Sequence, residues 1–117
     1  MQPKVIEASQ TTGLEAYPDA PGRVIKRDLV GKRDDAPNFV MRLFEVAPGG
    51  ATDHHKHPWE HEVFIVAGEG QLLTDDGPRP FRAGSAVYVP PEQMHQFQNT
   101  GNGTLKFICV IPNSGDQ

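Results

Sequence analysis

Histidine is the residue type in this chain best placed to do chemistry, and its spacing says which chemistry. Three histidines fall in the run His55-Lys56-His57-Pro58-Trp59-Glu60-His61, and a fourth, His95, follows the run Gly84-Ser85-Ala86-Val87-Tyr88-Val89-Pro90-Pro91. In an extended strand, side chains two residues apart leave the same face. His55 and His57 therefore present their imidazoles side by side, an arrangement suited to two ligands on one divalent ion at roughly 2.0–2.2 Å. His61 lies beyond a Pro58-Trp59-Glu60 turn able to fold it back onto the same ion. A single histidine is more often a satisfied core or surface group, but the chain has 5 in all and four gather in two short segments. His54 neighbours a ligand and points the opposite way, toward solvent or a contact behind the ligands.

The elements that must position these residues are strands. Gly and Pro are plentiful, 12 and 11, and no long 3.6-residue apolar stripe appears. Short β-branched and aromatic runs between Gly, Pro, Asp and Asn read as all-β. Strands are expected at Val24–Val30, at Phe39–Val46, and through the histidine cluster into Glu62–Ala67. Gln71–Thr74 and Arg79–Arg82 form a hairpin around Asp75-Asp76-Gly77-Pro78. Ser85–Val89 is a further strand. His95–Asn99 and Leu105–Ile111 flank Thr100-Gly101-Asn102-Gly103-Thr104, a second hairpin signal. Residues 1–22 make an arm or an edge strand, and 113–117 a loose tail. Closely spaced strands and turns suggest a closed sandwich or barrel.

The chain's 117 residues fit one domain with one core. A net charge of −4, with 11 basic residues that form no dense cluster, argues against a nucleic-acid surface. No stretch approaches the roughly 20 apolar residues of a membrane span, and the start Met1-Gln2-Pro3-Lys4-Val5-Ile6-Glu7 lacks the pattern of a signal peptide. A lone cysteine, Cys109, excludes an internal disulfide and fits a reducing compartment. The expectation is a soluble, cytoplasmic, mildly acidic β domain without nucleic-acid or membrane partners. No nucleophile–base–orienter set appears, so serine- or cysteine-based hydrolysis has no support.

Two motifs covering residues 49–99 resemble those of the cupin superfamily. Gly49, His55, His57 and Gly68 match the first; Gly84, Pro90, His95 and Asn99 match the second, with Glu92 standing where the family has a glycine. The resemblance implies a single-domain antiparallel jelly-roll barrel over 1–117. The family's glutamate position, counted back from Gly68, falls on His61; counted forward from His57, it falls on Glu62. If His61 faces the ion, Glu62 faces away, since neighbouring strand residues point to opposite sides. The favoured ligand set is therefore His55, His57, His61 and His95, with Glu62 as the replacement for His61. The chain is similar to small four-histidine cupins, including manganese-binding ones, and the similarity extends to Asp35–Phe44.

Four neutral imidazoles leave the full 2+ charge on the ion, and an octahedral site would keep two positions open for water, dioxygen or substrate. Imidazole suits manganese, iron, nickel, copper and zinc alike. The resemblance favours manganese, then iron; a closed structural zinc is the bland alternative. Trp59 either walls the pocket or packs on a partner. Phe97 shares the inward parity of His95, and Asn99 is either lining or turn. Phe107, Cys109 and Ile111 share a face preferred as inward over the Lys106 face. Cys109 there is an oxidisable thiol near the metal or plain packing. Arg42 clamps an acidic substrate if it faces inward and is otherwise an exposed arginine. By family analogy the chain is a metal-dependent oxidoreductase, dioxygenase-like, acting on a small molecule. The alternatives are a metal–ligand binding or sensing module and a Lewis-acid isomerase or lyase. The resemblance also implies a homodimer paired through edge strands.

Overall fold

Side chains alternate between buried and more exposed faces along His61–Ala67, His95–Asn99 and Leu105–Pro112 in the computed structural model, which describes residues 2–115. The strands are β1 Gly13–Ala16, β2 Val24–Val30, β3 Phe39–Val46, β4 His61–Ala67, β5 Glu69–Thr74, β6 Gly77–Arg82, β7 Ala86–Val89, β8 His95–Asn99 and β9 Leu105–Pro112. In β9, Leu105, Phe107, Cys109 and Ile111 are buried and the residues between them half-buried. β4 alternates in the same way, burying His61, Val63 and Ile65 and exposing Glu62, Phe64 and Val66. A period of two on a pleated strand gives one face to the core and the other to solvent.

All pairings are antiparallel, and they form two sheets, β1-β2-β3-β9-β4-β7 and β6-β5-β8. This is the all-β jelly roll expected of the sequence, although its two sheets stay separate rather than closing into one continuous ladder. Between them lies a single core that includes Val40, Phe44, Val63, Ile65, Leu72, Phe81, Phe97, Leu105 and Phe107. Burying each such side chain stabilises the fold by about 1.5–3 kcal/mol. Pro78 and Pro80 sit on β6, an edge strand, where a missing N–H leaves no central ladder bond unmade.

Three expectations need correction. Thr100–Thr104 does not close a hairpin: β8 belongs to the smaller sheet and β9 to the larger, so this turn crosses between sheets. Asn99 shapes it, donating from Nδ2 to the Val46 and Gly103 carbonyls at 2.9 and 2.8 Å and accepting from Gly101 N–H at 2.9 Å. Asn99 is thus a turn residue. The histidine segment is not a regular strand either. It meets β8 through isolated bridges, Ala51 to Gln98 and His55 to His95, rather than through a continuous ladder. Between them Thr52 N–H donates to the Phe97 carbonyl at 2.9 Å, and side-chain bonds add to it: Phe97 N–H donates to Thr52 Oγ1 and Gln96 Nε2 to the Thr52 carbonyl. Such local bonds compete with sheet pairing. Finally, the tail is docked as far as Gly115. Asn113 N–H donates to the Asn38 carbonyl at 2.8 Å, Asn113 Nδ2 to the Ala36 carbonyl at 3.1 Å, and buried Gly115 packs against the Trp59 ring. Residues 116–117 of that tail lie outside the described residues. Within residues 1–22, Gly13–Ala16 forms the edge strand β1 and Ala8–Gln10 a short 3-10 turn.

Candidate metal centre

The segment before β4 keeps an extended alternation even without a ladder: Asp53, His55, His57 and Trp59 are half-buried, whereas His54, Lys56 and Pro58 are exposed. His55 and His57 consequently stand side by side, ring centroids 4.3 Å apart. His95 opens β8 on its buried face and meets both, at 4.8 and 5.8 Å. The ligand nitrogens of His55, His57 and His95 all lie within 4.8 Å of one another. These three histidines could hold a metal ion. His61, the first residue of β4, is outside that tightest group but adjoins it, its ring 5.2 Å from His57 and 5.1 Å from His95. Glu62 lies on the opposite, exposed face of β4, paired with Tyr88 and Val110.

Hydrogen bonds orient the rings. His95 Nδ1 is 2.9 Å from the Gln93 carbonyl, which can only accept. That nitrogen therefore carries the proton and Nε2 keeps the lone pair. His61 Nδ1 lies 3.2 Å from Cys109 Sγ, while His61 Nε2 is buried with no partner. A buried imidazole nitrogen without a partner is costly, and a cation shared with the neighbouring histidines would supply one. Burial, then repulsion from His95 and the other cationic neighbours, pushes His61 down to about 3. Burial, with His57 next, pushes His55 down to about 4. His57 and His95 are also lowered, burial being the first cause for each. All four are neutral at neutral pH, the form in which imidazole ligates. The residues present therefore fit a divalent metal.

A cavity of about 20 Å³ adjoins the cluster, lined by Tyr17, Arg42, Phe44, Thr52, His55, His61, His95, Phe97, Phe107 and Cys109. Of the residues expected to line it, Arg42, Phe97, Phe107 and Cys109 are there. Trp59 is not among them: it stacks on His57 at 4.4 Å, nearly parallel. Arg42 faces inward from β3. Its Nη2 donates to Cys109 Sγ at 3.4 Å, its guanidinium carbon lies 5.1 Å from the Phe44 ring centroid, and its Nε is buried without a partner. Burial pushes the Cys109 thiol above its ordinary range, with Arg42 opposing.

Tyr17, Phe44 and Thr52 went unidentified in the sequence. Phe44 carried the parity signal, as it shares a face with Arg42. Tyr17 carried almost none. It reaches the cavity from the turn after β1 with a φ of +53°, a conformation that bulky residues seldom adopt. It stacks on Phe44 at 6.2 Å and meets His55 at 5.9 Å. Burial pushes its phenol up to about 12, so the hydroxyl keeps its proton. Glu92, in place of the motif glycine, holds the left-handed backbone that glycine would favour, φ +64°, and its N–H donates to the His57 carbonyl at 2.6 Å.

Residues 42–111 match the cupin domain family. SchB of Streptomyces halstedii is 30% identical over 105 residues, covering 85% of this chain and 76% of that protein. The oxalate-binding protein of Thermotoga maritima is 35% identical over 94 residues, 77% of this chain and 76% of its own. Among solved structures, the polyketide cyclase RemF from Streptomyces resistomycificus superposes with a TM-score of 0.86 at 27% identity, over 96% of this chain and 80% of RemF. A jelly roll with motif histidines converging inside it, matched over most of its length by such relatives, makes this chain a member of the cupin family.

Proposed function

We propose that this cupin is a metal-dependent oxidoreductase that acts on a small organic molecule at a four-histidine site. His55, His57 and His95 hold the ion and His61 completes the set; manganese is the favoured metal and iron the next. The observation that carries this reading is the partnerless, buried Nε2 of His61 beside three histidines already within 4.8 Å of one another. A bound divalent ion supplies Lewis-acid polarisation and open coordination positions for substrate or dioxygen. The chain's own part is to hold neutral imidazoles in place, His95 in a fixed tautomer through the Gln93 carbonyl and His61 against Cys109, and to exclude water with Phe44, Phe97 and Phe107. A test is reconstitution with manganese(II) or iron(II), counting metal per chain, followed by oxygen uptake with a catechol, diketone and thiol panel. Metal at one per chain with substrate-dependent uptake supports the reading. Metal retention without uptake on any substrate refutes the oxidoreductase.

Two other readings each have one observation in favour. The likeness to a protein named for oxalate binding favours a module that holds a metal–ligand pair without turnover. The likeness to a polyketide cyclase favours Lewis-acid chemistry without redox change. We also propose a cytoplasmic homodimer. Among the described residues no helix is long and apolar enough to cross a membrane. Support for self-association comes from the outer face of the larger sheet, where Phe64, Tyr88 and Met41 are exposed; the pairing proposed is through that face rather than through the edge strands the resemblance implies.

A further inference from the structure

Two hydrogen-bond donors, Arg42 and Tyr17, line the cavity beside the histidines. Arg42 forms no ion pair with any carboxylate among the described residues; its Nε is buried and unpartnered, and its only hydrogen bond runs to a thiol. Inward-facing arginines are ordinarily paired, and the alternatives to a partner are few for a group that cannot shed its proton. Tyr17 lines the same cavity, its half-buried ring set against Phe44 and His55. Its left-handed backbone is a local strain that the fold retains while bringing a phenol to this wall. Both donors and the histidine cluster border the same cavity of about 20 Å³. That space holds about one water, or one small functional group.

We infer that Arg42 and Tyr17 form an anion clamp, so that the substrate is a small organic acid whose carboxylate they grip while its other end faces the histidines. The inference rests on the metal-site reading for that second end. A carboxylate matches the chemistry on the page: the guanidinium fork donates charge-assisted bonds to it, and the protonated phenol adds one donor. A neutral ligand would leave the half-buried guanidinium on the cavity wall without a counter-charge. Arg42 and Tyr17 are specificity-determining residues in this assignment, and no bond is made or broken by them.

The test uses three probes of one shape and falling charge: oxalate, oxamate and oxamide. Each is titrated calorimetrically into manganese-loaded protein, with metal content measured before and after. Oxalate and oxamate are expected to bind and oxamide to bind at least about tenfold more weakly. Arg42→Gln should weaken oxalate about tenfold or more with metal content unchanged, and Tyr17→Phe about fivefold. Arg42→Lys keeps the charge without the fork and should fall between, which preserves the comparison if Arg42→Gln does not fold. Oxalate affinity within twofold of wild type in folded Arg42→Gln, or equal binding of all three probes, overturns the clamp while leaving the metal site standing. Should wild-type protein retain no ion, the same titrations on metal-free protein decide separately. Arg42-dependent oxalate binding there sinks the metal reading and keeps the clamp; no binding sinks both.

Discussion

The histidines were legible as single residues because parity alone places His55 beside His57, and parity also turns Glu62 away whenever His61 turns in. The structure puts His61 on the buried face of β4 and Glu62 on the exposed one. A direct comparison follows. His61→Ala is expected to lower divalent-metal affinity at least about tenfold, the scale of losing even a group that only orients a ligand, whereas Glu62→Ala leaves it unchanged. Metal content after dialysis against a graded chelator measures both; loss confined to Glu62→Ala would reverse the ligand assignment. Tyr17 was not legible at this scale. Its place depends on one positive φ in a proline-rich turn and on stacking against Phe44, a contact between residues far apart in sequence. The arginine was half legible: Arg42 shares its face with Phe44 and Val46, but parity could not say which face of β3 the core would take.

At the scale of elements, the strands were legible where β-branched and apolar runs are bounded by turn residues, as in β4 and β9, and their partners were not. The turn at Thr100–Thr104 has hairpin composition, yet Asn99 ties it to the Val46 carbonyl on β3 and sends the chain to the other sheet. Turn residues specify a bend, and long-range bonds decide where the next strand lands. The β4–β5 corner makes the same switch at Gly68, whose φ is +86° and where an added Cβ would sit 2.8 Å from the Thr104 carbonyl oxygen and 3.0 Å from Leu105 Cα. Gly84, φ +93°, has nothing within 4 Å of its would-be Cβ. Both glycines avoid the backbone strain of about 1–2 kcal/mol that a left-handed L-residue carries. Only Gly68 also avoids a backbone clash. Gly68→Ala should therefore destabilise the fold by about 3 kcal/mol and Gly84→Ala by about 1 kcal/mol, read from urea midpoints at constant slope. Equal losses would show that the sheet-to-sheet approach at Leu105 has slack.

For the whole molecule, the histidine cluster ties stability to acidity. The unfolded histidines bind protons near their ordinary value of about 6.5, while the folded His55 and His61 resist until about 4 and about 3. Between those values the unfolded chain holds more protons, so stability rises with pH across the window and falls on acidification. Metal-free protein should lose melting temperature steadily from pH 6.5 toward pH 4, and His61→Ala should flatten that slope; a wild-type profile flat to pH 4 would show that the cluster is hydrated. The opposite side of the larger sheet poses a different question. Leu43, Ile108, Phe64 and Ala86 lie in register across β3, β9, β4 and β7, an apolar row with Phe64 51% and nearby Tyr88 56% exposed. Contiguous apolar surface of this kind marks an interaction site, and a two-fold pairing would lay each row on its copy. The proposed homodimer thus predicts about twice the chain mass in sedimentation equilibrium, and the chain mass alone for Phe64→Glu. That substitution places a like charge on both sides of the axis and leaves the buried face of β4 untouched. A wild-type protein that sediments as a monomer at tens of micromolar, about the range where weak pairs still associate, would remove the dimer.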